Sequence, residues 1–184
     1  GPHQRFLLEE QLRHIQELED RISRLTQEIE SRMRPFEAAV DAIDEIPGIG
    51  RIGAQEIIAE IGVDMSRFPT HGHLASWAKV CPGNNESAGK RRSGRSGRGN
   101  PWLRSTLVEA AWAAARTKDS YLRAQYYRLK SRRGAKRAAL AVAHSILVAI
   151  YYMLADGTAY QDLGADFFNR LSTDRIARYH ARRL

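Results

Sequence analysis

From Gln4 to Arg34 the chain contains neither glycine nor proline, and apolar residues recur at Leu8, Leu12, Ile15, Leu18, Ile22, Leu25, Ile29 and Met33. Steps of three and four residues place them on one face of an α-helix, close to a heptad stripe with a single slip between Ile15 and Leu18. Charged side chains fill the other faces, and Pro35 stops the pattern. Residues 4–35 therefore predict one long helix. The stripe is narrow, which favours a coiled coil that pairs subunits into a homo-oligomer or leads to a further domain, over a helix lying on its own domain. Residues 1–3 begin Gly-Pro and read as the remnant of a cleaved tag, so the expectation is a piece of a longer protein.

Residues 36–184 predict a compact helical domain. A short helix over 36–44 and another over 51–61 flank the turn Ile46-Pro47-Gly48-Ile49-Gly50. Thr70 can cap a helix reaching Lys79. Pro82 to Gly99 reads as a loop, and Asn100-Pro101 supplies a cap and a first-turn proline for the next helix, to about Thr117. Asp119 or Ser120 opens a helix to about Arg132. Gly134 separates it from an apolar helix over 135–155, and a basic helix is expected at about 173–183. No alternating run of strand length is present, so the fold class is all-α: a long N-terminal coiled-coil helix, then a helical domain holding a helix-hairpin-helix motif over about 36–62.

Twenty-nine Lys and Arg against 21 Asp and Glu give a net charge of +8, which favours a polyanionic partner. The charge is regional. Arg51 is the only base between Phe36 and Asp64, whereas Lys79–Arg104 carries seven bases and one acid, and Arg116–Arg137 nine bases and one acid. The single cysteine, Cys81, excludes an internal disulfide and a multi-cysteine zinc site. No signal peptide is seen. The apolar run Ala138–Ala155 is interrupted by His144 and Ser145 and reads as a buried core helix, so no membrane is expected and the location is taken as cytoplasmic. His71 and His73 lie two apart and project differently, so no metal site is assigned. His144 reads as a core histidine. Trp77, Trp102 and Trp112 read as core aromatics, with Trp102 the best placed to stack on a base. Tyr121, Tyr126 and Tyr127 alternate with Arg123, Arg128, Lys130, Arg132 and Arg133, which fits a nucleic-acid face or a solvated amphipathic helix.

Two motifs carry chemistry. In the first, Gly48 and Gly50 permit a tight turn, and the amides that open the second helix, at Gly50 and Arg51, can bind a phosphate oxygen. An ordinary helical turn is the alternative. The second is Pro82-Gly83-Asn84-Asn85-Glu86-Ser87-Ala88-Gly89-Lys90, followed by Arg91, Arg92, Arg95, Arg98 and Asn100-Pro101-Trp102-Leu103-Arg104. Glycine and serine interleaved with arginine suit a segment that lies along phosphates. Ser87 sits beside small residues, and positive charge from Lys90 and the arginines would offset charge developing in phosphoryl transfer. By spacing alone, a loop serine explains Ser87 better than a nucleophile does.

The order of the hairpin, Pro-Gly-Asn-Asn-Glu-Ser-Ala-Gly-Lys and Gly-Asn-Pro-Trp-Leu-Arg resembles the C-terminal domain of the "IS one-ten" insertion-sequence transposases, a group that includes the Piv-type DNA invertases. The resemblance covers about residues 40–155, and the preceding coiled coil matches the family's layout. It implies a DNA transposase or site-specific recombinase in which a serine, here Ser87 with Lys90 beside it, attacks a DNA phosphate. A RuvC-like domain with acidic ligands for magnesium precedes the coiled coil in that layout, and a structured guide RNA pairs with DNA in some members. No cofactor is expected in the present chain, which alone is expected to bind DNA without recombining it. A non-catalytic helix-hairpin-helix module of a repair or recombination accessory protein is the alternative function, and a coiled-coil assembly domain a third.

Overall fold

A computed structural model describes residues 1–82, 85–93, 97 and 99–171. Two compact units are present, Gly1–Glu37 and Ala38–Leu184. The first is one 32-residue helix, α1 (Pro2–Met33), closed by a 3-10 turn at Arg34–Phe36. Its stripe is open: Leu8, Leu12, Ile15, Leu18, Ile22, Leu25 and Ile29 are between 42% and 63% exposed. The ion pairs Glu10–Arg13 and Glu28–Arg32, both 2.7 Å, lie on exposed faces and add little stability.

The second unit begins at the second residue of α2 (Glu37–Asp44), which is followed by α3 (Arg51–Ile61), a 3-10 turn at Met65–Arg67 and α4 (His71–Ala78). After the segment described below come α5 (Pro101–Ala114), α6 (Tyr121–Arg133) and α7 (Ala135–Asp156). The capping residues act as the sequence predicts. Thr70 Oγ1 accepts from the His73 amide, Asn100 Oδ1 from the amides of Trp102 and Leu103 at 3.0 and 3.1 Å, and Ser120 Oγ from the Arg123 amide at 3.2 Å. Each such cap satisfies an otherwise orphaned amide and stabilises its helix by about 1 kcal/mol. Asp119 adopts φ +57 just ahead of the Ser120 cap.

The centre of the unit is α7. It packs against α4, α5, α6 and the Met65–Arg67 turn, while α3 packs on α5. Ala138, Ala139, Val142, Ala143, Ile146, Leu147, Ile150 and Met153 are buried along it. Burying each of Ile146, Leu147 and Ile150 contributes roughly 1.5–3 kcal/mol. By length and mean hydropathy (1.9 over 18 residues) α7 could cross a membrane. Here three helices cover its apolar side. Tyr151 also donates its hydroxyl to the Phe68 carbonyl at 3.1 Å, and Tyr152 is 3.0 Å from His71 Nδ1, which ties α7 to α4 and the strand of chain before it. Beyond α7, Asp162 accepts from the amides of Tyr121 and Gly164, and Phe167 and Phe168 pack on the Tyr121 ring.

Two expectations change. Part of the segment read as a loop forms a small antiparallel hairpin, β1 (Asn85–Ser87) with β2 (Lys90–Ser93). Strands of three and four residues are too short for an alternating pattern to announce them. The tryptophans are not buried: Trp77 and Trp112 are 42% and 38% exposed, each with one ring neighbour (Phe68 and Tyr126), and Trp102 is 74% exposed. The basic helix expected at 173–183 lies outside the described residues.

Candidate nucleic-acid interface

The turn before α3 is built by three isoleucines. Ile43, Ile46 and Ile49 are buried, and the amides of Ile46 and Ile49 bond to the carbonyls three residues back, winding the chain tightly. Gly48 sits at φ +93, and a Cβ there would fall 2.4 Å from both the Ala110 carbonyl and the Ala114 amide nitrogen. Its first role is therefore packing: only a hydrogen fits between this turn and the backbone of α5. Gly50 differs. Nothing lies within 4 Å of where its Cβ would be, it is exposed, and as the N-cap of α3 it leaves the first amides of that helix without a side-chain cap. Arg51 follows and donates to Asp41 on α2 at 2.9 Å, an exposed ion pair across the turn.

The acidic residues of α3 have a structural use. Glu56 accepts from the Thr106 hydroxyl at 2.7 Å, and Glu60 accepts from the side-chain amide of Asn100, the residue that caps α5. Two carboxylates thus fasten α3 to the start of α5. The chain entering α5 is also held from the other side, because a Cβ on Gly99 would lie 2.8 Å from the Ala78 carbonyl and against Lys79 at the end of α4. The exit of the basic segment is anchored at α3, α4 and α5 together.

Within that segment, Ser87 is the last residue of β1 and pairs in register with Lys90, the first of β2. Ala88 and Gly89 form the connection, with φ +50 and +74. Positive φ at both central residues is the pattern of a two-residue type I′ turn, whose twist matches that of paired strands. Alanine there costs roughly 1–2 kcal/mol relative to glycine, so the tip is strained. The register also pairs Glu86 with Arg91 and Asn85 with Ser93, with an irregularity between Asn85 and Glu86. Arg91 and Arg92 lie on β2. Arg95 and Arg98 lie outside the described residues. The backbone therefore brings Ser87 and Lys90 together across a turn, and Arg91 and Arg92 follow on the same strand.

Arg104 belongs to another surface. It stands in the first turns of α5, half-buried, and lines a groove of about 530 Å³ with Lys136 and Arg137 at the start of α7. Lys136 and Arg137 belong to the base-rich stretch Arg116–Arg137, whose density of bases does not say which of them meet Arg104. Along α6 the cations lie over aromatic rings: Arg123 over Tyr127 at 5.4 Å, Lys130 over Tyr126 and Tyr127 at 5.8 and 5.5 Å, and Arg128 over Phe168 at 5.0 Å.

Among the described residues, no group of three or more His, Cys, Asp or Glu side chains could hold a metal ion. His73 Nδ1 is engaged by the Thr70 hydroxyl at 2.8 Å and His71 by Tyr152, so the two rings serve different contacts. His144 is half-buried on α7, and burial, with the charge of His71 adding, holds its pKa below the ordinary value.

The sequence profile of the family described as "Transposase IS116/IS110/IS902 family" matches residues 40–127, from α2 through the hairpin into α6. A "Probable family 20 transposase" of Pseudomonas aeruginosa is 31% identical over 159 residues, covering 84% of the chain and 46% of the relative. The "Insertion element IS110 uncharacterized 43.6 kDa protein" of Streptomyces coelicolor is 30% identical over 145 residues, covering 72% and 35%. The chain thus spans about half the length, or less, of these curated relatives. The matched stretch contains the Gly48–Gly50 turn, the glutamate clasp on α5 and the hairpin that carries Ser87, and on these matches the chain belongs to the IS116/IS110/IS902 family of transposases.

Proposed function

We propose that this chain is the DNA-binding, serine-bearing part of a DNA transposase or site-specific recombinase, with Ser87 as its nucleophile. The observation that carries the reading is that the family match includes the strained hairpin in which Ser87 faces Lys90 in register across a two-residue turn. In the reaction, the Ser87 oxygen bonds to a DNA phosphorus as the phosphorus–oxygen bond to one deoxyribose breaks, and the serine proton leaves with the departing hydroxyl. Attack by a different DNA hydroxyl reverses the step and joins new strands. Lys90, Arg91, Arg92, Arg95 and Arg98 offset the charge that builds on the phosphoryl oxygens, and the turn at Gly48, Gly50 and Arg51 acts as a helix-hairpin-helix contact to a backbone phosphate, which holds DNA without reading sequence. A RuvC-like domain with magnesium, a guide RNA and a cytoplasmic setting belong to the same reading, by the family's layout. The open stripe of α1 forms a coiled coil between copies and makes the protein a homo-oligomer.

Recombination by the full-length protein tests this. Ser87→Ala should abolish strand exchange and retain DNA binding, and a phosphoserine–DNA adduct should be trapped with the unsubstituted protein only. Strand exchange by Ser87→Ala at the unsubstituted rate rejects the serine and leaves the non-catalytic helix-hairpin-helix module.

A further inference from the structure

The groove between α5 and α7 has a composition that packing does not require. Val108, Trp112 and Leu140 give it apolar walls, Arg104, Lys136 and Arg137 also line it, and no carboxylate among the described residues does. None of these three bases has an ion-pair or hydrogen-bond partner for its side chain among the described residues. Lys136 and Arg137 stand in the first turn of α7, where the helix dipole disfavours positive charge, and that turn holds no acid to offset them. Helix stability therefore does not explain them. Trp112 has its ring beside Tyr126 at 5.6 Å between centroids and keeps 38% of its surface open.

From this geometry we infer that the α5–α7 groove is a second nucleic-acid site, which takes an unpaired stretch of DNA. Three cations along one groove match backbone phosphates. The apolar walls and the tryptophan select for a single strand, because a duplex keeps its base faces stacked inside, whereas an unpaired base can lie against an indole. The inference rests on the DNA-binding reading above and adds what that reading lacks: a place for strand that is unpaired while another strand is cut and rejoined. Arg104 then belongs to this groove rather than to the hairpin.

The test uses the 184-residue chain, a 12-nucleotide oligodeoxythymidylate, a blunt duplex of equal length and an oligouridylate, titrated over a range of salt. Lys136→Gln/Arg137→Gln changes two exposed side chains, and circular dichroism checks that the fold is kept. It should weaken oligodeoxythymidylate binding about tenfold and flatten the plot of log affinity against log salt by about 1.4, at ~0.7 per lost phosphate contact. Trp112→Leu should cost about fivefold or more for the single strand and little for the duplex. Unchanged affinity and salt slope in Lys136→Gln/Arg137→Gln overturns the groove. Equal losses for duplex and single strand overturn the assignment to unpaired DNA, and tighter binding of oligouridylate overturns the choice of DNA. The groove is tested by oligodeoxythymidylate binding and the serine by strand exchange and adduct trapping, so the groove and the serine can each fail alone.

Discussion

The two longest helices, α1 and α7, make a direct comparison. Both carry apolar residues at helical spacing, yet Ile22 and Leu25 on α1 are 62% and 63% exposed, whereas Ile146 and Ile150 on α7 are fully buried. The stripe on α1 is one residue wide per turn and flanked by charge. On α7, buried positions recur as adjacent pairs (Ala138 and Ala139, Val142 and Ala143, Ile146 and Leu147), which broadens the apolar face until more than one helix is needed to cover it. Width, rather than hydrophobicity alone, separates the exposed stripe of α1 from the face of α7 that forms the middle of a domain.

The sharpest way to break that comparison is a cavity. Leu147→Ala in α7 should lower the free energy of unfolding by about 2–5 kcal/mol at every protein concentration, measured by urea denaturation. A loss below about 1 kcal/mol would mean that α7 is not the centre of the domain. Gly48→Ala should cost about 2–4 kcal/mol, since it combines a left-handed backbone with a Cβ 2.4 Å from α5. A stable Gly48→Ala protein with weakened DNA binding would instead make phosphate contact the main use of that glycine. On α1 the effect should depend on concentration. Leu18→Lys/Ile22→Lys should remove self-association in analytical ultracentrifugation, and an unchanged oligomer would reject the coiled coil.

The same comparison marks what could be read from sequence. Element order, the caps at Thr70, Asn100 and Ser120, and the burial of α7 were legible because each rests on local chemistry or on periodicity. Contacts between distant elements were not. Nothing local to α3 says what Glu56 and Glu60 meet, and their clasp on Thr106 and Asn100 emerges only when α3 lies on α5. Gly48 read as a turn glycine, and the approach of the α5 backbone supplies the stronger reason for it. The β1–β2 hairpin was hidden because its strands are only three and four residues long and its turn has Ala-Gly where Asn-Gly would be the signal. Arg104 was assigned with the basic segment by adjacency in sequence, whereas Lys136 and Arg137 are its neighbours in space.

The smallest expected effect is a pH dependence that belongs to α7. Burial, then the charge of His71, lowers the pKa of His144 from its ordinary 6.5, so the folded state favours the neutral ring. Between the lowered folded value and 6.5 the unfolded chain binds more protons than the native one, and stability rises with pH there. The contribution is complete above 6.5 and is lost as pH falls below it. Urea midpoints measured from pH 7.5 to pH 5.5 should therefore fall less steeply for His144→Gln than for the unsubstituted chain. Parallel curves would show that His144 titrates alike in both states, and that the packed side of α7 leaves this ring as open to solvent as the stripe of α1.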